Sequence, residues 1–333
     1  MSITILRPGL LTSIQDTGRY GFQKYGVIAS GAMDTYSLRM ANLLVGNEEN
    51  EATLEITLMG PIISVDQDML IAVTGADFSP TVDGIPLPEW RPVLIKKGSV
   101  IKFGAPKSGC RSYLAVAGGV AVKKIMNSKS TYLRAGIGGF QGRALQKEDR
   151  LETGEWSERS LMLFRKLKDM SFHYPFSTTE WFIDTKLFFL HSSKSHIRVL
   201  PGRQYNQLTE KGKEQFFSES FQVTPQSDRM GFRLIGPKIE LREKREMLSE
   251  AVSFGTIQLP PNGNPIILLA DRQTTGGYPK IAQVISADLS YLAQRKPGEK
   301  IQFQLVTLEE AEKLYLEKER TWKKLKTAIL LKE

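Results

Sequence analysis

Two stretches of this chain carry the same signals in the same order, and that repeat limits the fold more than composition does. Ser30-Gly31-Ala32-Met33-Asp34 is followed by Leu54–Pro61, by Met69–Val73 and by Gly75-Ala76-Asp77. Ser227-Asp228-Arg229-Met230-Gly231 is followed by Leu248–Gly255, by Pro265–Ala270 and by Asp271. Each series then reaches a glycine-led strand, Gly98–Phe103 and Gly298–Phe303. The spacing predicts two related halves about a pseudo-twofold, with Glu55 and Glu250 at equivalent places. Period-two alternation and β-branched residues make most of these segments strands, separated by turns such as Pro260-Pro261-Asn262-Gly263. Helices are few and short: about Thr35–Val45 capped by Asp34, then Glu158–Leu167, Glu210–Phe217 and Ala287–Gln294. A last one follows the capping box Thr307/Glu310, with Ala311, Leu314, Trp322, Leu325 and Ile329 on one stripe. The fold class is therefore mainly β, two barrel-like domains: 1–150, a connector at 151–194, and 195–333 ending in a helix.

With 333 residues, 41% hydrophobic and 24% charged, the chain has enough apolar surface for two cores. The longest apolar run, Tyr113–Val122, is half a membrane span and reads as a buried strand, so no membrane partner is expected. The single cysteine, Cys110, and an N-terminus that alternates like a strand suit a cytoplasmic protein. The net charge of +9 is scattered along the chain, which does not point to nucleic acid. No P-loop, dinucleotide fingerprint, H-E-x-x-H, C-x-x-C or G-x-S-x-G string is present. His173, His191 and His196 lack ligand spacing, and metal ligands stay unassigned.

The densest polar constellation is Asp271-Arg272-Gln273-Thr274-Thr275-Gly276-Gly277-Tyr278, directly after an apolar strand. Its glycines permit close backbone approach, and its hydroxyls and arginine suit anionic oxygens. Asp271, Arg272, Thr274 and Thr275 are the first candidates for catalysis, and Gly276, Gly277 and Tyr278 for binding. The same residues also suit a tight turn in which Asp271 caps amides. A second group is Asp16, Arg19, Ser30 and Asp34. Asp16 and Arg19 suit either a loop-closing ion pair or a site, and the helix start at Ser30–Asp34 either a cap or an anion cradle. Arg111, Arg134, Arg229 and Arg233 are further candidates for holding carboxylate or phosphate.

Taken together, these strings resemble the allophanate hydrolase subunit 2 family. The resemblance rests on Asp16-x-x-Arg19-x-Gly21, Ser30–Asp34, Ala41–Asn47, Leu54-Glu55-x-Thr57, Arg111–Gly119, Ser130–Gly136, Ser227–Gly231 and Ala270–Tyr278. It spans about Ile3 to Phe303 and implies tandem cyclophilin-like β-barrels. Within the family the chain is most similar to the stand-alone KipI-antagonist branch, whose members are components of bacterial 5-oxoprolinase. That implies hydrolysis of 5-oxoproline to L-glutamate with ATP and Mg²⁺ at the level of a complex, beside the enzyme's KipI-like B-subunit and its A-subunit. Two other expectations come with the family: a regulatory protein antagonising a KipI-like kinase inhibitor, and the carboxyltransferase component of a biotin-dependent urea carboxylase. Where relatives carry Gly-Ser-Arg-Ser-Thr this chain has Asn127-Ser128-Lys129-Ser130-Thr131. Lysine lacks the planar fork of arginine, so phosphate binding does not carry over to Lys129.

Overall fold

A computed structural model describes residues 1–170, 174–186, 196–243 and 247–332. His173 and His191 lie outside the described residues, and His196 is exposed on a strand. Tertiary contacts divide the chain into two units: Met1–Arg19, Ser30–Lys186 and Lys324–Glu333 form the first, Tyr20–Ala29 and Leu187–Lys323 the second.

The first unit contains twelve described strands. They are β1 (Ser2–Arg7), β2 (Leu11–Gln15), β3 (Thr53–Thr57), β4 (Ile62–Val65), β5 (Met69–Asp77), β6 (Thr81–Val82), β7 (Ile85–Pro86), β8 (Val93–Ile95), β9 (Val100–Lys102), β10 (Ser108–Val116), β11 (Arg150–Glu152) and β12 (Phe176–Thr178). They build two six-stranded sheets, β11-β1-β4-β9-β6-β7 and β12-β8-β5-β10-β3-β2. Alternate residues of both sheets, among them Ile3, Ile5 and Ile63 from one and Ile56, Val73 and Leu114 from the other, share one core. Helix α1 (Thr35–Leu44) starts where the sequence predicts, with the Asp34 carboxylate accepting from Ser37 N at 3.2 Å.

Helix α2 (Glu158–Lys168) and β12 correct the expected connector at 151–194. Ser157 and Ser160 donate their hydroxyls to the carbonyls of Gly46 and Val45, which end α1, each at 2.7 Å. β12 pairs with β8, so the chain as far as Lys186 belongs to the first unit. Carbonyls at a helix end need donors, and two serines spaced three apart supply them.

In the second unit a closed barrel runs β13 (His196–Pro201), β20 (Lys280–Val284), β17 (Thr256–Gln258), β18 (Ile266–Leu268), β15 (Gly231–Ile235), β14 (Phe221–Val223) and β21 (Lys300–Leu305). Phe303 stacks on Phe216 of α3 (Glu210–Ser218) with ring centres 4.5 Å apart, and Phe221 lies 5.7 Å from Phe303. A short helix α4 (Leu289–Ala293) follows β20. Outside the barrel, β16 (Glu250–Ala251) and β19 (Thr275–Gly276) form a two-stranded ribbon.

That ribbon overturns the expected equivalence of Glu55 and Glu250. Glu55 sits inside β3, between β2 and β10, and is fully buried. Glu250 lies in a two-residue strand paired only to β19, bonded to Arg203 and Lys280. Matching intervals in sequence do not set strand partners, and it is the partners that decide position.

Helix α5 (Leu308–Leu330) carries the predicted capping box, Thr307 N to Glu310 at 2.9 Å and Glu310 N to Thr307 at 3.2 Å. Ala311, Trp322 and Ile329 are its buried residues. The expectation that this helix belongs wholly to the second half is revised: from Lys324 onward it counts with the first unit, where Lys326 pairs with Glu49 at 2.6 Å.

Candidate functional site

In the first unit the quoted motifs form a buried polar network. The Asp16 carboxylate accepts from Gly18 N (2.8 Å), Lys129 N (2.6 Å) and the hydroxyls of Ser128 (2.8 Å) and Ser130. Arg19, fully buried, donates to the carbonyls of Ile125 (3.0 Å) and Ser130 (2.9 Å). Both residues therefore clamp the Asn127–Thr131 loop, and Lys129 itself pairs with Glu51. Ser30, at φ +53°, is buried in the same region.

The helix start proposed as an anion cradle is already occupied by the protein. Ala32 N donates to Asp16 O, Met33 N to Glu55 at 2.8 Å, and Asp34 N to the Tyr113 hydroxyl at 2.8 Å. That hydroxyl donates in turn to Glu55 at 2.8 Å. Burial, reinforced by the Glu55 charge, pushes the Tyr113 phenol far above its ordinary value, so it stays a donor at any physiological pH. Asp34 is the cap of α1, and Arg111 bonds the sulfur of buried Cys110 at 3.1 Å.

In the second unit the two motifs meet. Arg229 makes a bidentate ion pair with Asp271, Nε to Oδ2 at 2.9 Å and Nη2 to Oδ1 at 3.0 Å, both side chains almost wholly buried. Asp271 N also donates to Arg229 O at 2.8 Å. A fork of this kind fixes distance and direction together. It ties the start of β15 to the loop after β18. Arg272 is bent back to Leu269 O at 3.2 Å, with its guanidinium 5.9 Å from the centre of the Phe254 ring. Burial lowers its pKa, opposed by Tyr20 and Asp271.

Beside this staple lies a cavity of about 310 Å³. Its floor is made by Gly231, Arg233, Gln258, Ile266 and Leu268 on three adjacent strands. Asp228 and Met230 of one motif, Gln273 and Tyr278 of the other, and Pro260 and Asn262 complete the wall. Glu250, nearby on the ribbon, is held below the ordinary carboxylate range by its bond from Lys280, with Arg203 adding.

Similarity to known proteins gives this arrangement a family. Residues 25–305 match the model described as carboxyltransferase domain, subdomain A and B. The chain belongs to this family. This carboxyltransferase-domain chain is 39% identical to the 5-oxoprolinase C-subunit of Escherichia coli over 97% of both chains. It is also 39% identical to the 5-oxoprolinase C-subunit of Haemophilus influenzae over 94% of both. Among solved structures it is similar to urea carboxylase of Kluyveromyces lactis, with a TM-score of 0.85 and 30% identity. That match covers 96% of this chain and 29% of the urea carboxylase chain.

Within this carboxyltransferase-domain chain the sequence candidates separate by position. Asp16, Arg19 and Asp34 hold first-unit loops and a helix end. Asp271 and Arg229 form the staple, Thr275 and Gly276 form β19, and Thr274 O accepts from Val252 N at 3.2 Å. Gly277 is half-buried next to the partly exposed Tyr278 at the cavity wall. Of the first candidates for catalysis, none lines the cavity; their neighbour Gln273 does. Gln258 and Asn262 escaped the sequence reading. The signal available was a polar residue inside the apolar run Thr256–Leu259, just before a Pro-Pro turn.

Proposed function

We propose that the chain is the C-subunit of an ATP-dependent 5-oxoprolinase, opening 5-oxoproline to L-glutamate with the A-subunit and a KipI-like B-subunit in the cytoplasm. The observation that carries this reading is coverage in both directions. The two 5-oxoprolinase C-subunits match this chain over nearly their whole length, while the urea carboxylase spans it with less than a third of its own. A five-membered lactam is a resonance-stabilised amide that resists water near neutral pH. Transfer of the ATP γ-phosphoryl group to its carbonyl oxygen activates the carbon. Water adds there, the ring C–N bond breaks with nitrogen leaving as the amine, and a second water hydrolyses the resulting acyl phosphate to the carboxylate and phosphate. The second unit's cavity, whose floor sets Ile266 and Leu268 beside Arg233 and Gln258, has the size and polarity for such a ring.

Among the described residues no three His, Cys, Asp or Glu side chains stand together as a metal cluster. Nucleotide and Mg²⁺, which is commonly held by one or two carboxylates together with substrate phosphates, enter this proposal at the level of the complex. Among the described residues no helix is long and apolar enough to cross a membrane. The family description and the urea carboxylase likeness favour a second reading, carboxyl transfer from a biotin-borne group.

One assay separates them: ADP release by the purified chain mixed with its A- and B-type partners, with and without 5-oxoproline. The expected outcome is release that requires all three proteins and the lactam. No such release, together with carboxyl transfer to urea from a biotinylated carrier, would establish the second reading instead.

A further inference from the structure

We infer that the cavity on the second unit's barrel binds a small cyclic amide bearing a carboxylate, with Arg233 holding the carboxylate and Gln258 reading the ring amide. The inference rests on the functional reading above and adds which group of the ligand each residue meets. Strand register supplies the argument. Arg233 on β15 stands opposite Ile266 on β18, and Ile266 stands opposite Gln258 on β17. Directly opposed residues of neighbouring strands project to the same face. A guanidinium, an aliphatic side chain and a primary amide thus form one row, its outer two Cα atoms about 10 Å apart at two strand spacings.

The next row opens space above the floor. There Gly231 stands opposite Leu268, and a Cβ at Gly231 would come within 3.0 Å of Ile267 O. Ile266, Leu268 and Met230 suit ring methylenes. Among the described residues that line the cavity, Arg233 is the cation. Arg229, close in sequence, is committed to Asp271, whereas the Arg233 side chain is exposed and makes no hydrogen bond or ion pair among the described residues. Asp228, the other charged wall residue, turns Oδ1 to the amides of Met230 (2.8 Å) and Gly231 (3.2 Å). Gln258 is buried, yet its Nε2 reaches Tyr278 O only at 3.4 Å, the long limit for a hydrogen bond. A buried primary amide with so weak a partner is suited to a ligand carbonyl.

The test uses the three-protein complex, with calorimetric titration of 5-oxoproline and of 2-pyrrolidinone, the same lactam without its carboxylate, alongside KM and kcat. Arg233→Gln should weaken 5-oxoproline roughly 10- to 100-fold, the range for a charge-assisted contact. It should leave 2-pyrrolidinone and the melting temperature unchanged, and Arg233→Lys should restore part of the loss. Gln258→Leu should weaken both lactams. Equal 5-oxoproline affinity in wild type and Arg233→Gln would overturn the assignment even if the complex cleaves ATP normally. If the wild type shows no 5-oxoproline-dependent ATP cleavage, the functional reading fails and the titration still decides. Carboxylate-dependent binding lost in Arg233→Gln upholds the site, and no binding of either lactam rejects it.

Discussion

Single residues divide into those whose role shows in their neighbours along the chain and those whose role does not. Asp34 is of the first kind, an acidic residue just ahead of a helical stripe. Asp34→Ala should cost about 1 kcal/mol by thermal unfolding, as loss of a helix cap does. Asp271 is of the second kind. Its partner Arg229 is remote in sequence, and the string Ala270–Tyr278 alone suits both a site and a turn. Since the pair is buried, Asp271→Ala strands a guanidinium and should cost about 3–5 kcal/mol. The double change Arg229→Met with Asp271→Leu should recover much of that loss, and a double variant as unstable as Asp271→Ala would contradict the staple. Glu89 gave no sequence signal at all. Burial, with Asp77 adding and Lys107 opposing, pushes its carboxyl from 4.5 up to about 8. Between those values the folded chain keeps a proton that the unfolded chain has lost, so this group's contribution to stability falls as pH rises through the window. Melting temperatures at pH 5.5 and 8 should therefore converge in Glu89→Gln relative to wild type, and identical pH dependence in both would refute it.

Among elements, helices were the more legible. Each expected start has a cap residue and a periodic apolar face, and α1, α2, α3 and α5 begin within a residue of expectation. Strands were legible as strands, but their neighbours were not. The cavity floor depends on β15 pairing with β18 and β18 with β17, and a one-residue slip would turn Arg233 and Gln258 to the opposite face. No local pattern encodes that register. The β16–β19 ribbon was missed for the same reason: two-residue strands have no period to read. Its function is testable through Gly276, where a Cβ would stand 2.4 Å from Gln258 Nε2. Gly276→Ala should displace the Gln258 amide and lower lactam affinity by about tenfold, with a change in melting temperature smaller than that of Asp271→Ala. Unchanged affinity would show that the ribbon does not set the position of Gln258.

At the scale of the whole molecule, chain length, the repeated signals and period-two alternation pointed to two mainly β units, and the fold has two units rich in strands. Their borders were not legible, because neither unit is one continuous piece of chain. Residues 20–29 count with the second unit although they lie between segments of the first, and 324–333 count with the first although they follow the second. This threading has a consequence for biosynthesis. On the ribosome the first unit lacks its Lys326–Glu49 ion pair until everything up to residue 326 has been made. The second unit, for its part, begins with a segment made near the start. Each unit therefore gains its last contacts only after residues of both have been translated, which departs from the simple domain-by-domain order of tandem architectures. Two polypeptides made separately from 1–186 and 187–333 should each be poorly soluble, and should recover a native melting transition only when produced together.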